Sequence, residues 1–209
     1  MLNKIKTNTA LPKITVVTPS FNQGEFIEDT IFSALGQSYA NLEYIIIDGG
    51  STDSIVDVIK KYKDKISYWV SEKDNGQSHA VNKGFAKYTG DTLCWLNSND
   101  LYMNNVLTWV ARHSNEEDSS SLFANCLYFK EASDSVTTYG SSVVYGSGEC
   151  SLENIDYIIQ PSSFWTRKVW ENAGNLREDI HYTFDWEWFL RAKKLGVSSF
   201  QRIQMPSNV

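Results

Sequence analysis

Small polar and acidic side chains collect in four short clusters, each closing an apolar run: Thr18-Pro19-Ser20-Phe21-Asn22, Asp48-Gly49-Gly50-Ser51-Thr52-Asp53, Asp74-Asn75-Gly76-Gln77 and Asn97-Ser98-Asn99-Asp100. Such clusters can accept hydrogen bonds, cap helices and hold a phosphate in a nest of backbone N–H groups. Local turn chemistry explains any one of them taken alone, since Asn, Asp, Ser and Gly are favoured in turns. The last cluster is the sharpest, because the apolar run from Leu93 to Leu96 stops abruptly in it. Further on, Asp185 and Glu187 stand two residues apart in an aromatic stretch, hence on opposite sides of a helix. Arg191, four residues after Glu187, gives that acid a stabilising partner and leaves Asp185 without one.

The elements that must carry these residues follow from periodicity. Ile14 to Val17 reads as a strand stopped by Pro19, and the apolar positions Phe26, Ile27, Ile31, Ala34 and Leu35 as the helix after it. The unit repeats. Leu42 to Ile47 is the second strand, with Ser51, Thr52 or Asp53 able to cap a helix through Ile55, Val58 and Ile59. Ile66 to Val70 leads into a third helix carrying Ala80, Val81 and Phe85, and Thr92 to Leu96 into a fourth spanning about residues 104–113. Four strand–helix alternations predict an α/β domain with a mostly parallel twisted sheet, helices on both faces, and all four polar clusters on one rim, at the strands' carboxyl ends. Beyond them, Ser119-Ser120-Ser121 reads as a loop, and the segments 121–129 and 136–144 read as a small antiparallel hairpin. Helical positions around Val169 to Ala173, an aromatic helix from Phe184 to Leu195 and a final strand around Val197 to Ile203 complete the chain.

Composition bounds the function. The 209 residues, 42% hydrophobic, suit one substantial core, and 19 basic against 25 acidic residues leave no electrostatic footprint for nucleic acid. A small anion remains compatible with an acidic protein. Three scattered cysteines, Cys94, Cys126 and Cys150, form no metal or redox spacing and point to a reducing, cytoplasmic setting. No apolar run approaches the ~20 residues of a membrane span, so the chain is expected to be soluble, with peripheral association at the inner membrane face as the alternative. His113 and His181 have no partners at ligand spacing, and His79 reads equally well as a surface residue.

Taken in order, Thr-Pro-Ser-Phe-Asn at 18–22, Ile-Ile-Ile-Asp-Gly-Gly-Ser-Thr-Asp at 45–53, Glu-Lys-Asp-Asn-Gly at 72–76 and Trp-Leu-Asn-Ser-Asn-Asp at 95–100 resemble the nucleotide-sugar glycosyltransferases of family two. Gln160-Pro161 and Asp185-Trp-Glu-Trp-Phe-Leu-Arg191 continue the resemblance. It implies the GT-A fold over a single domain, 1–209, with residues about 12–115 binding the nucleotide and about 116–209 shaping the acceptor site. Resembling proteins often continue further, so the chain is expected to be a truncated catalytic core. The implied reaction is inverting, metal-assisted transfer of a sugar from a nucleotide-diphosphate donor, with uridine favoured, to a hydroxyl of a glycan or lipid-linked saccharide, as in polysaccharide biosynthesis.

The resemblance also implies roles. Thr18, Pro19, Ser20 and Phe21 would wall the base and ribose, and Asp48 would accept the N3–H of uracil. Asp74, Gly76, Asn82, Lys83, Asn97 and Ser98 would meet the rest of the donor, with Lys83 either near the diphosphate or solvated. Asp185 falls where the family keeps its catalytic acid and is assigned as general base. Mn²⁺ or Mg²⁺ would sit at Asn99 and Asp100, but related sequences carry an acid at the place of Asn99, and an amide offers a weaker oxygen. Three accounts of Asn99 follow: an engineered inactivating substitution, favoured because the other motifs are intact, a natural weaker site, or a non-catalytic nucleotide-sugar or glycan binder. A sugar-phosphate nucleotidyltransferase is disfavoured, since Thr18 to Asn22 is not a glycine-rich phosphate loop.

Overall fold

The computed structural model describes residues 11–114, 119–130, 135–140, 151–197 and 199–203. Four strand–helix units come first: β1 (Ile14–Ser20) with α1 (Ile27–Leu35), β2 (Leu42–Asp48) with α2 (Ile55–Tyr62), β3 (Tyr68–Ser71) with α3 (Gln77–Phe85), and β4 (Thr92–Trp95) with α4 (Val106–His113). Then come β5 (Ser120–Phe123), β6 (Cys126–Lys130), β7 (Ser135–Gly140), β8 (Ser163–Thr166), α5 (Arg167–Ala173), α6 (Phe184–Lys194) and β9 (Ser199–Arg202).

Seven strands form one sheet in the order β3-β2-β1-β4-β8-β5-β9. Only β8 runs against its neighbours, β4 and β5. Because the chain steps outward from β1 through β2 to β3 and then crosses to β4 on the other side of β1, the strand order reverses at the β1–β4 pair. In open sheets that reversal opens a crevice beyond the strands' carboxyl ends.

Both faces of the sheet are covered, which explains why the strands read as apolar runs rather than alternating ones. Ile14, Val16, Tyr44, Ile46 and Cys94 face a core completed by α1, α2 and α4, while Val17, Ile45, Ile47, Leu93, Trp95 and Trp165 face α3, α5 and α6. The second core is aromatic: Trp95, Trp165 and Trp188 are fully buried, and Phe85 packs edge-on to Trp165 at 5.9 Å between ring centres. Gly84 lets α3 press on β1, since a β-carbon there would lie 3.0 Å from Val17 Cγ2 and closer still to Cγ1.

Three expectations need correction. Pro19 does not stop β1; it pairs with Ile47 inside the strand, which runs on to Ser20. The Leu96 amide bonds the Val17 carbonyl at 2.9 Å and the Gly49 amide the Ser20 carbonyl at 2.9 Å, so odd positions of β1 face β4. Pairing with β4 ends at Val17, and the missing N–H of Pro19 therefore breaks no ladder bond. Ser120 and Ser121 are strand rather than loop, because β5 enters the main sheet between β8 and β9. The hairpin is consequently narrower than expected: β5 leaves it, β6 pairs with β7, and residues 141–144 lie outside the described residues. The Ala124 amide still bonds the Ser162 carbonyl at 2.9 Å, and the chain turns away only after it.

Candidate functional site

A cavity of about 820 Å³ opens where the fold reverses, lined from all four parallel strand ends. Pro19, Ser20, Phe21 and Gln23 come from the end of β1, Gly49, Gly50 and Thr52 from β2, Lys73 and Asp74 from β3, and Asn97, Ser98 and Asn99 from β4. Gly76, Gln77 and Ala80 add the start of α3, where unpaired backbone N–H groups and the helix dipole favour an anion. The line from the end of β3 to that of β4 crosses three inter-strand spacings, about 14 Å, room for an extended ligand rather than a compact one.

The β4 end is built from amides. Asn97 Oδ1 accepts from Gln77 Nε2 at 2.6 Å, and its Nδ2 donates to Asp100 Oδ2 at 3.0 Å and to Gln160 Oε1 at 3.2 Å. Gln160, buried, donates in turn to the carbonyl of Trp95, the last residue of β4, at 2.7 Å. Ser98 donates to Gln23 Oε1 at 2.5 Å, closing the β1 and β4 loops on each other. Asn99 is exposed and lines both this cavity and a second, largely apolar one of about 340 Å³ that also takes in Asp100.

Among the expected donor residues, Pro19, Ser20, Phe21, Asp74, Gly76, Asn97 and Ser98 do line the cavity. Four others do not. Thr18 is fully buried in the opposite core with its hydroxyl 3.0 Å from that of Tyr44. Asp48 is fully buried too: its carboxylate accepts from the Ser51 amide at 3.0 Å, from the Ser51 hydroxyl and from the Ser71 hydroxyl at 2.5 Å. It braces the loop after β2 and meets no open space. Asn82 holds the 176–178 segment, bonding both backbone groups of Leu176 and the Glu178 carboxylate. Lys83 is paired with Glu72 at 2.5 Å. The N-cap of α2 is Ser54 rather than Asp53; Asp53, one residue earlier, accepts from the Ile55 amide at 3.2 Å and from the Gly24 amide at 2.8 Å.

Asn99 and Asp100 do not fit a divalent ion. Asn99 offers one neutral oxygen, while Asp100 is turned to Asn97 and to the second cavity, and burial raises its pKa despite the hydrogen bonds from Asn97. Among the described residues no three His, Cys, Asp or Glu side chains come together as a metal site.

At the start of α6, Asp185 is half-buried and accepts from the Trp186 amide at 2.9 Å. The α6 start abuts the end of β4, with Phe184 stacked on Trp95 at 6.3 Å between ring centres. Glu187 is bound by Arg191 through two bonds, 3.0 and 2.9 Å, the pair that their spacing predicts. Of the tryptophans, Trp165, Trp170 and Trp188 are core, and Trp186 is half-buried with its indole N–H on the Leu152 carbonyl at 2.8 Å. The exposed aromatic near Asp185 is Tyr182, at 85%.

Sequence reasoning missed Gln23, Gly49, Gly50, Thr52, Lys73 and Gln77 as cavity residues, though each sits within or beside a named cluster. It missed Asp156 outright. Burial, and then the charge of Asp185, push that carboxyl up to about 6.

Known proteins agree with this architecture. The profile described as glycosyl transferase family 2 matches residues 15–177. An uncharacterized glycosyltransferase of Rickettsia typhi is 28% identical over 205 residues, 93% of this chain and 62% of its own length. A Campylobacter jejuni protein named GalNAc(5)-diNAcBac-PP-undecaprenol beta-1,3-glucosyltransferase is 30% identical over 125 residues, 58% of this chain and 40% of that protein. This chain thus spans less than two thirds of those relatives. In fold it matches residues 1–349 of Staphylococcus aureus TarS solved with UDP, at TM-score 0.72 and 19% identity, covering 93% of this chain and 58% of that one. The mannosyltransferase PcManGT of Pyrobaculum calidifontis, solved with GDP-Man and Mn²⁺, matches at TM-score 0.65 and 16% identity over 95% of this chain and 56% of that one. No helix among the described residues is long and apolar enough to cross a membrane.

Proposed function

The chain belongs to glycosyl transferase family 2, and from that premise we propose that it transfers a hexosyl residue, with inversion, from a nucleoside-diphosphate sugar to a hydroxyl of a glycan or lipid-linked saccharide. The observation that carries the reading is the cavity across four strand ends; Asp185 is not among its lining residues, but it follows Phe184, which stacks on Trp95 at the end of β4. The nucleotide lies toward β2 and β3, the diphosphate across the start of α3, and the sugar toward Asn97–Asn99.

Asp185 takes the proton of the acceptor hydroxyl. The freed oxygen attacks the anomeric carbon from the side opposite the diphosphate, the carbon–oxygen bond to the diphosphate breaks, and its electron pair leaves with the nucleoside diphosphate. Donors along the cavity then face the growing negative charge: the backbone N–H groups opening α3 and the amide of Asn99, which unlike a carboxylate can donate to a phosphate oxygen. Relatives' names support the substrate class, one acting on an undecaprenyl diphosphate glycan and one fold neighbour binding UDP. Tyr182 offers an exposed ring for acceptor stacking. Action on a lipid-linked acceptor would place the protein in the cytoplasm at the inner membrane face. No step runs through Mn²⁺ or Mg²⁺, since the neutral oxygen of Asn99 and the half-buried, Asn97-bound Asp100 make a poor site for it.

The test is donor turnover by wild type and Asp185→Asn, with and without Mn²⁺. Transfer should fall at least about 1,000-fold in the variant while the Kd for UDP stays within about twofold. Unchanged turnover would remove Asp185 from the mechanism. A second reading, a non-catalytic nucleotide-sugar binder, is favoured by Asn99 alone; it predicts UDP binding with no transfer under any condition.

A further inference from the structure

Resting on the donor cavity described above, we infer that its base end is read by Asp74 and Lys73, and that this pair selects a nucleobase presenting an N–H beside a carbonyl. Those bases are uracil, thymine and guanine; cytosine and adenine present a lone pair beside an amino group instead.

The argument begins with Asp48, the acid at the end of β2. With no exposed surface and its oxygens taken by Ser51 and Ser71, it has nothing to offer a ligand. Asp74, one loop further along, does. Its Oδ1 accepts from the Gly76 amide at 2.9 Å, which fixes the carboxylate's orientation. Its Oδ2 has no hydrogen-bond partner among the described residues, and the side chain lines the cavity.

Lys73 lines the same end, and it has no ion-pair partner among the described residues. These two are the charged members of the lining, side by side, while the β4 end is amide and hydroxyl.

The glycines after β2 exist to admit this pair. A β-carbon on Gly49 would lie 2.8 Å from Asp74 Oδ2 and 3.1 Å from its Cγ. On Gly50, whose φ is +80°, it would lie 3.1 Å from the Lys73 amide nitrogen and 3.4 Å from Lys73 Cγ. The β3 loop therefore packs directly on Gly49-Gly50, and the Asp74 carboxylate lies against the cavity floor.

A carboxylate only accepts and an ammonium only donates. Together they complement N3–H with O4 of uracil, or N1–H with O6 of guanine. Against cytosine or adenine the carboxylate would meet the ring nitrogen's lone pair, and an unpaired buried acceptor loses about tenfold or more in affinity.

Calorimetry with UDP, GDP, CDP and ADP as probes tests this on wild type, Asp74→Asn and Lys73→Met. Wild type should bind UDP and GDP at least about tenfold tighter than CDP and ADP. Asp74→Asn, isosteric and able to donate to cytosine N3, should bring the UDP to CDP ratio to within about threefold of one. Lys73→Met, which removes a solvent-exposed charge without an ion-pair partner among the described residues, should weaken UDP and GDP more than CDP. Equal wild-type affinities for all four probes, or an unchanged UDP to CDP ratio in a folded Asp74→Asn, would overturn the pair's role while leaving the donor cavity standing. Binding of none of the four by wild type would overturn the donor cavity itself and this inference with it.

Discussion

Replacing Gln160 by Ala separates two roles that one side chain holds at once. Its Nε2 supplies a hydrogen to the carbonyl of Trp95 at 2.7 Å, and its Oε1 receives one from Asn97 at 3.2 Å; the residue is 7% exposed. Truncation leaves the Trp95 carbonyl buried without a partner, which costs about 1–3 kcal/mol, and opens a small void worth about 1 kcal/mol more. At about 2–4 °C per kcal/mol for a chain of this size, the melting temperature should fall by roughly 4–16 °C. Asn97 keeps Gln77 and Asp100 but loses the partner that ties it to the sheet, so its amide swings and the Kd for UDP should rise about 3–10-fold. Differential scanning calorimetry and titration with UDP read the two effects separately. A melting temperature within about 2 °C of wild type would refute the buried bond, and a large fall with unchanged UDP affinity would show that Gln160 supports the sheet and not the site.

Gly84→Ala trades a helix-propensity gain of about 1 kcal/mol against a clash with both methyl groups of Val17 that costs about 1–3 kcal/mol. Urea unfolding should show a net loss; a higher midpoint would mean that α3 does not press on β1 as closely as described. The carboxyl of Asp156 is raised from 3.8 to about 6 by burial and then by Asp185, so its stabilising contribution is complete below the unfolded value and lost as pH rises through about 6. The side chain reaches solvent, which cuts the effect to about 1 kcal/mol or less. In Asp156→Asn the loss of stability between about pH 4 and 7 should shrink, and an identical pH slope in both proteins would show that the fold does not raise this carboxyl.

The sequence carried the sheet because both of its faces are apolar and each strand closes in small polar residues, a pattern that needs no tertiary knowledge to see. It misplaced the boundary of β5 for the opposite reason: Ser120 and Ser121 are poor strand formers on propensity, and they are strand only because β8 and β9 flank them. Pro19 was misjudged similarly, since whether a proline breaks a ladder depends on which neighbour its missing N–H faces. The site was legible as a rim but not as an assignment. Asp48 and Asp74 both end or follow strands and look alike in the sequence; that one carboxylate is sealed by Ser71 and the other left open is a fact of register between β2 and β3, where Asp48 sits opposite Ser71. Asp156 could not have been found, because the influence of Asp185 on it depends on how the 151–159 segment lies against α6, tied there by the Leu152 carbonyl and by Glu153 with Lys193.

That division of labour within one cavity bears on Asn99. An ionised acid there would add a second negative charge at the end where the leaving group gathers its own, tolerable only with a cation between them. The neighbours of Asn99 are Asn97, Ser98 and, through Asn97, Gln77 and Gln160, all neutral, beside Asp100, whose pKa burial raises. The amide is therefore consistent with its surroundings. Charge in this cavity sits at the base end, where Asp74 and Lys73 discriminate, and neutrality sits at the sugar end, where negative charge must arrive. A wild-type rate independent of Mn²⁺ is what that arrangement requires, and a strict metal requirement would show that the neutral end is a disabled carboxylate site after all.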